Sequence, residues 1–163
     1  MLEGIDAVML RILLVCSGNT CRSPMAETLL KAKIDKSDMA DKIKVLSAGL
    51  HAAGGLSASI GAVTAMRRRG LDLAFHHSRQ LVPDIVQAAD LVLTMTVSHK
   101  CMLQAAMPEL ATKVYTLAEY ADAENDIADP FGGNDEVYEY CASELDHLLD
   151  KAWQKIVDYA GKN

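Results

Sequence analysis

Met9 to Val15, MLRILLV, is an aliphatic run that stops abruptly at Cys-Ser-Gly-Asn. A run this short and this apolar predicts a strand buried on both faces, which belongs in a parallel sheet covered by helices. Directly behind it, SPMAETLLKAKI puts Pro24 in a first turn, Glu27 early, and Met25, Leu29 and Ala32 on one face. These are signals of a helix start. The ten residues VCSGNTCRSP, Val15 to Pro24, therefore form a loop between the carboxyl end of a strand and the N-terminus of a helix. Ligands of open α/β sheets sit at that kind of position.

The remaining chain repeats the alternation. Strand-like runs occur at Ile43 to Ala48, Asp90 to Met95 and Lys113 to Thr116, with helical segments between them. Ile60, Val63 and Met66 share one face of the second helix. The last helix has the clearest period: Val137, Cys141, Leu145, Leu148, Ala152, Ile156 and Tyr159 step by three and four. Asn134 is its expected N-cap, and Gly161 is expected just past its end. At 163 residues there is enough chain for one core and hardly enough for two. The expected fold is a single α/β domain over residues 9–163, with a four-stranded parallel sheet and helices on both faces. Residues 1–8, MLEGIDAV, are set aside as an N-terminal extension, native or left from cloning.

Charge narrows the function. The 22 acidic residues against 16 Lys and Arg give a net charge of −6, which disfavours nucleic acid or an anionic membrane as partner. The run Arg67-Arg68-Arg69 hardly changes this, because it precedes Gly70 where a helix should end and complements the helix dipole. No stretch reaches the roughly 18 apolar residues of a membrane helix, and the N-terminus lacks the pattern of a signal peptide. The expected location is the cytoplasm. There, four cysteines point to thiol chemistry or packing before structural disulfides. Cys141 and Cys101, both in helical segments, are expected in the core.

Cys16 and Arg22 enclose five residues, so a tight loop can return the guanidinium to the sulfur's side while the intervening N–H groups turn inward. Amides at a helix N-terminus, together with a forked arginine, suit a tetrahedral dianion such as phosphate, arsenate or sulfate. The same field favours a nucleophilic thiolate at Cys16, and Ser23 is in reach to hydrogen-bond that sulfur. Gly18 and Asn19 are residue types that tolerate left-handed backbone angles. A Walker loop would end in Gly-Lys-Ser/Thr, and a zinc site would need a second ligand pair beside Cys16 and Cys21; neither pattern is present. Cysteine-based phosphoryl transfer also needs a general acid. Asp129, in the segment Ala128 to Gly133, ADPFGG, is the candidate.

Cys-x5-Arg-Ser-Pro near the N-terminus with a late Asp-Pro resembles the low-molecular-weight protein tyrosine phosphatase family, from Met9 onward. The resemblance implies a flavodoxin-like topology and a metal-independent, cofactor-free reaction. It makes Cys16 the nucleophile, Arg22 the holder of the equatorial oxygens, and Asp129 the acid and later the base. Ser17, Gly18, Asn19, Thr20, Cys21, Ser23 and Phe131 would bind substrate, with Ser47 and His76 in a supporting network. Cys21 would be able to form a disulfide with Cys16 and shelter it from irreversible oxidation. His51, His99 and His147 belong to no pattern.

Two departures from the tyrosine-directed members stand out. Thr20 occupies a position that is commonly aliphatic there, and Phe131 is followed by Gly132-Gly133 instead of a second aromatic residue. Both resemble the bacterial protein-arginine phosphatase branch. Phosphoarginine has a cationic, planar leaving group, which an acceptor such as Asp129 and a hydroxyl such as that of Thr20 suit better than an apolar wall. A phosphotyrosine phosphatase is the alternative. Arsenate reduction would need a second redox cysteine pair, and Arg79 to Ser98 contains no cysteine. A non-catalytic phosphoprotein-binding module fits poorly with intact Cys16, Arg22 and Asp129. The implied partners are phosphorylated proteins, stress-response regulators among them, acted on by a monomer.

Overall fold

In the computed structural model, which describes residues 8–162, β1 (Leu10–Cys16) lies inside a four-stranded parallel sheet. Its alternation explains why. Leu10, Ile12, Leu14 and Cys16 face one apolar cluster and Leu13 and Val15 the other, so only a strand covered on both sides can hold it. Each fully buried aliphatic side chain contributes about 1.5–3 kcal/mol.

The sheet order is β2 (Ile43–Gly49), β1, β3 (Leu91–Thr94), β4 (Val114–Thr116). On the first face lie α1 (Arg22–Asp35), α2 (Ile60–Arg68), the short α5 (Leu117–Tyr120) and the 27-residue α6 (Asp135–Gly161). The other face is covered by α3 (Pro83–Ala88) and α4 (Val97–Ala106), through Val86 and Leu103. A 3-10 turn over Pro108–Lys113 leads into β4. The chain crosses from β2 to β3 over β1, which makes the end of β1 the switch point of the sheet. There Cys16 is in register with Gly49, and Val15 with Thr94.

The expected strands are present to within one or two residues at their ends. The Asn134 side chain caps α6 by accepting from the Val137 amide at 3.1 Å. The arginine run ends α2 as expected: Arg69 Nη1 donates to the Ala65 carbonyl, Gly70 has φ 73°, and Arg68 and Arg69 pair with Asp135 and Glu139 of α6.

Four side chains depart from the expected core. Ile60 is 86% exposed, because the buried face of α2 runs through Ala62, Ala65 and Met66 and leaves Ile60 on the opposite side of the helix. Val137 and Tyr159 lie near the two ends of α6, where the stripe drifts off the core, and are exposed. Cys101 is exposed on the outer face of α4, and Cys141 is buried as expected. Gly161 is the last residue of α6 instead of following it. The expected extension falls, except for Val8, outside the described residues. Among the described residues no helix is long and apolar enough to cross a membrane.

Candidate active site

The loop after β1 is built by its carbonyls. The carbonyls of Cys16 and Ser17 accept from the amides of Leu50 and His51, that of Thr20 from the Ser59 amide, and that of Cys21 from the Met25 amide. The Asn19 carbonyl accepts from His76 Nε2 at 2.7 Å. A trans peptide points its N–H opposite to its C=O. With five carbonyls drawn outward, the amides of Ser17, Gly18, Thr20, Cys21 and Arg22 turn the other way, and none has an acceptor among the described residues. Five convergent N–H groups at the start of α1 make a nest for an anion.

Asn19 locks this shape. It is fully buried at φ 55°, a left-handed angle that asparagine tolerates. Its Nδ2 donates to Ser23 Oγ and Ser47 Oγ, both at 2.9 Å, and its Oδ1 accepts from the Arg79 amide at 2.8 Å. Ser47 Oγ in turn donates a hydrogen bond to Glu27 Oε2 at 3.2 Å. Ser23 Oγ lies 2.8 Å from Cys16 Sγ, and because it accepts from Asn19 its proton is free for the sulfur. Of Gly18 and Asn19, the two residues able to tolerate a left-handed angle, only Asn19 adopts one.

Gly49 is required for a different reason. A Cβ on it would lie 2.5 Å from the Ser17 carbonyl oxygen and 2.9 Å from the Asn19 nitrogen, so only glycine lets β2 meet the loop.

Arg22, at the end of the loop, is 5% exposed, donates from Nη1 to the Ile127 carbonyl at 3.0 Å, and holds Nη2 3.6 Å from Asp129 Oδ2 on the facing segment. The other carboxylate oxygen of Asp129 accepts from the Phe131 amide at 3.1 Å. A cavity of about 170 Å³ lies between them, lined by Cys16, Gly18, Asn19, Thr20, Cys21, Arg22, Asp129 and Phe131. Larger hollows exist elsewhere, but this one holds the nucleophile candidate, the guanidinium and the carboxylate together.

Of the remaining expected residues, Ser17 and Ser23 do not line the cavity: the Ser17 hydroxyl meets His99, and that of Ser23 sits between Cys16 Sγ and Asn19 Nδ2. Ser47 and His76 meet on Asn19, behind the loop.

Several residues escape sequence reasoning. Glu27, Ser59, Tyr138 and His99 all touch the loop or its supports, from 20 to 117 positions away. Ser59 Oγ and Tyr138 Oη lie 3.2 and 3.5 Å from Cys21 Sγ, and burial pushes the Tyr138 phenol up to about 12, with Cys21 adding in the same direction. Only Gly49, closing the segment Ser47-Ala48-Gly49 at a strand end, carried a local signal.

Residues 11–160 match the family model described as low molecular weight phosphotyrosine protein phosphatase. A protein-arginine-phosphatase of Geobacillus stearothermophilus is 42% identical over 147 residues, covering 90% of this chain and 95% of that protein. The solved structure of an arginine phosphatase from that organism superposes with a TM-score of 0.86 at 40% identity, covering 94% of this chain and 97% of the other. Another arginine phosphatase structure, a Cys-to-Ser mutant with a phosphorylated active-site serine, has a TM-score of 0.86 at 36% identity, covering 90% and 95%.

Proposed function

This chain belongs to the low molecular weight phosphotyrosine protein phosphatase family, and we propose that it hydrolyses phosphoarginine in proteins through a cysteinyl-phosphate. The observation that carries the choice of substrate is Thr20. Among the described residues it is the one hydroxyl-bearing residue that lines the cavity, which it shares with Asp129 and Phe131.

The Cys16 thiolate attacks phosphorus, and the phosphorus–nitrogen bond breaks as the Asp129 carboxyl, the general acid, gives a proton to the departing guanidine nitrogen. Arg22 and the five inward amides hold the equatorial oxygens while charge spreads over them. The substrate phosphoryl group competes with the Asp129 carboxylate for Arg22, which places the acid beside the leaving group. Asp129 then takes a proton from water, the water oxygen attacks phosphorus, and the sulfur leaves with the Ser23 hydroxyl donating to it. Inorganic phosphate departs and the thiolate is restored. No cofactor or metal enters these steps. The arginine phosphatase relative with a phosphorylated serine in place of a cysteine supports the covalent intermediate.

The same reading makes residues 9–163 the phosphatase domain, with 1–8 before it, acting as a cytoplasmic monomer on phosphorylated proteins. Exposed Phe131 at the cavity mouth favours a second reading, phosphotyrosine, by offering a ring to stack on a phenyl group. The test is kcat/KM on one peptide carrying phosphoarginine and on its phosphotyrosine counterpart, for wild type and Thr20→Ile. Wild type should prefer phosphoarginine, and Thr20→Ile should move the ratio toward phosphotyrosine by about 10- to 100-fold. A wild-type preference for phosphotyrosine would give the substrate to the second reading.

A further inference from the structure

We propose that His99 is a positioning residue for phosphoryl transfer, holding the loop that carries Cys16 through a hydrogen bond from its Nε2–H to Ser17 Oγ. The two atoms lie 2.8 Å apart. Ser17 directly follows the nucleophile, and its hydroxyl turns out of the cavity to meet this ring. His99 is carried on the first turn of α4, which Thr96 caps by accepting from the His99 amide at 3.1 Å. The ring therefore reaches the loop from the β3 side. Ser47, His76 and Arg79 hold Asn19 from the β2 side. Among the described residues no other side chain of α4 hydrogen-bonds the loop.

The second ring nitrogen strengthens the assignment. His99 is only 6% exposed, yet its Nδ1 is buried with no hydrogen-bond partner among the described residues. A buried polar atom left unpaired is costly and rare, and the Ser17 contact is what the ring gains in return. A buried orphan donor is rarer than an under-satisfied acceptor, so the proton belongs on Nε2 and the lone pair on Nδ1. His99 is thus the donor, and Ser17 keeps its own proton. The charged and titratable groups around the ring are Arg22 and His51, which oppose its protonation, and Asp126 and Asp129, which favour it. Burial, followed by Arg22, holds its pKa down to about 4, so the ring is a neutral single donor across the working range.

The activity readout rests on the phosphatase reading, whereas a binding readout does not. Calorimetric affinity for inorganic phosphate and kcat/KM on a phosphoarginine peptide are to be measured for wild type, His99→Leu, His99→Gln, Ser17→Ala and the Ser17→Ala/His99→Leu double variant. His99→Leu should weaken phosphate binding and lower kcat/KM, each by about tenfold. His99→Gln, whose amide can donate to the same oxygen, should recover most of both, and the double variant should be no worse than Ser17→Ala. Wild-type phosphate affinity in His99→Leu with only a lower Tm, or losses that add in the double variant, would overturn the proposal. If wild type turns over no phosphorylated peptide while phosphate binding still follows this pattern, the proposed function fails and the positioning role stands. Imidazole 15N NMR on the wild type supplies a check free of folding defects. The Nε2–H neutral tautomer is expected, and an Nδ1–H tautomer would overturn the assignment.

Discussion

The loop of residues 16–22 and the loop of residues 126–134 face each other across one small cavity, and they are held in opposite ways. In the first, Cys16, Asn19, Cys21 and Arg22 are buried, and five carbonyls are tied to the surrounding frame. In the second, the Asp129 side chain is 51% exposed, Phe131 is 74% exposed, and Gly132 bends at φ 80°. That segment is pinned chiefly through Ile127, between Met95 and Arg22, and through Asp126, which accepts from the first amide of α4. The phosphoryl group is the same in every substrate, so its cradle can be fixed in advance. The leaving group arrives on a protein of varied shape, and the loop that meets it is left open to adapt.

The sharpest way to break this contrast is Cys16→Ser. It should lower turnover by at least about 10⁴-fold while inorganic phosphate still binds, because the nest survives the loss of its nucleophile. Loss of phosphate binding in step with turnover would mean that the sulfur, and not the amides, builds the cradle. Asp129→Asn probes the other side. It should slow kcat by about 10²- to 10⁴-fold, with leaving-group departure affected most and phosphate affinity retained. Gly49→Ala tests whether the cradle's precision matters. Its Cβ must displace the Ser17 carbonyl or the Asn19 amide, and kcat/KM and phosphate affinity should fall together by up to about 100-fold.

The last prediction concerns stability where the two loops meet. The pKa of His99 is lowered to about 4 from 6.5, so the unfolded chain binds the extra proton first as pH falls. Its contribution is fully present above about pH 6.5 and is lost progressively toward pH 4. Denaturant titrations of wild type and His99→Gln should show the wild type losing about 3 kcal/mol relative to the variant between pH 7 and pH 4. A constant difference would mean that the ring is solvated in the folded state.

The contrast also explains what could be read from the chain. Short-range signals carried the strand–loop–helix unit and the α6 stripe, because both are periodic and locally encoded. Cys16, Arg22 and the Asp129 segment announced themselves by crowding unusual residue types together. Periodicity failed at the starts of helices, where Ile60 lies opposite the buried face of α2 and Val137 stands at the exposed first turn of α6. It failed again for Cys101, whose exposure depends on which face of α4 meets β3. His99 was illegible because its meaning lies in Ser17, 82 positions away, and a lone histidine in a helix has no local signature. Gly18 and Asn19 both tolerate a left-handed angle, and which of them takes it was not legible, because the side-chain bonds of Asn19 to distant residues decide it.

The outward tethering of the carbonyls has a consequence for how the molecule is watched. Five neighbouring amides without acceptors among the described residues should trade their hydrogens for solvent deuterium readily, although they sit beside β1, a strand paired on both sides. A dianion seated on them would close all five at once. The peptide spanning residues 16–22 would then gain mass more slowly in exchange mass spectrometry, and the nucleophile loop would serve as its own unlabelled occupancy gauge.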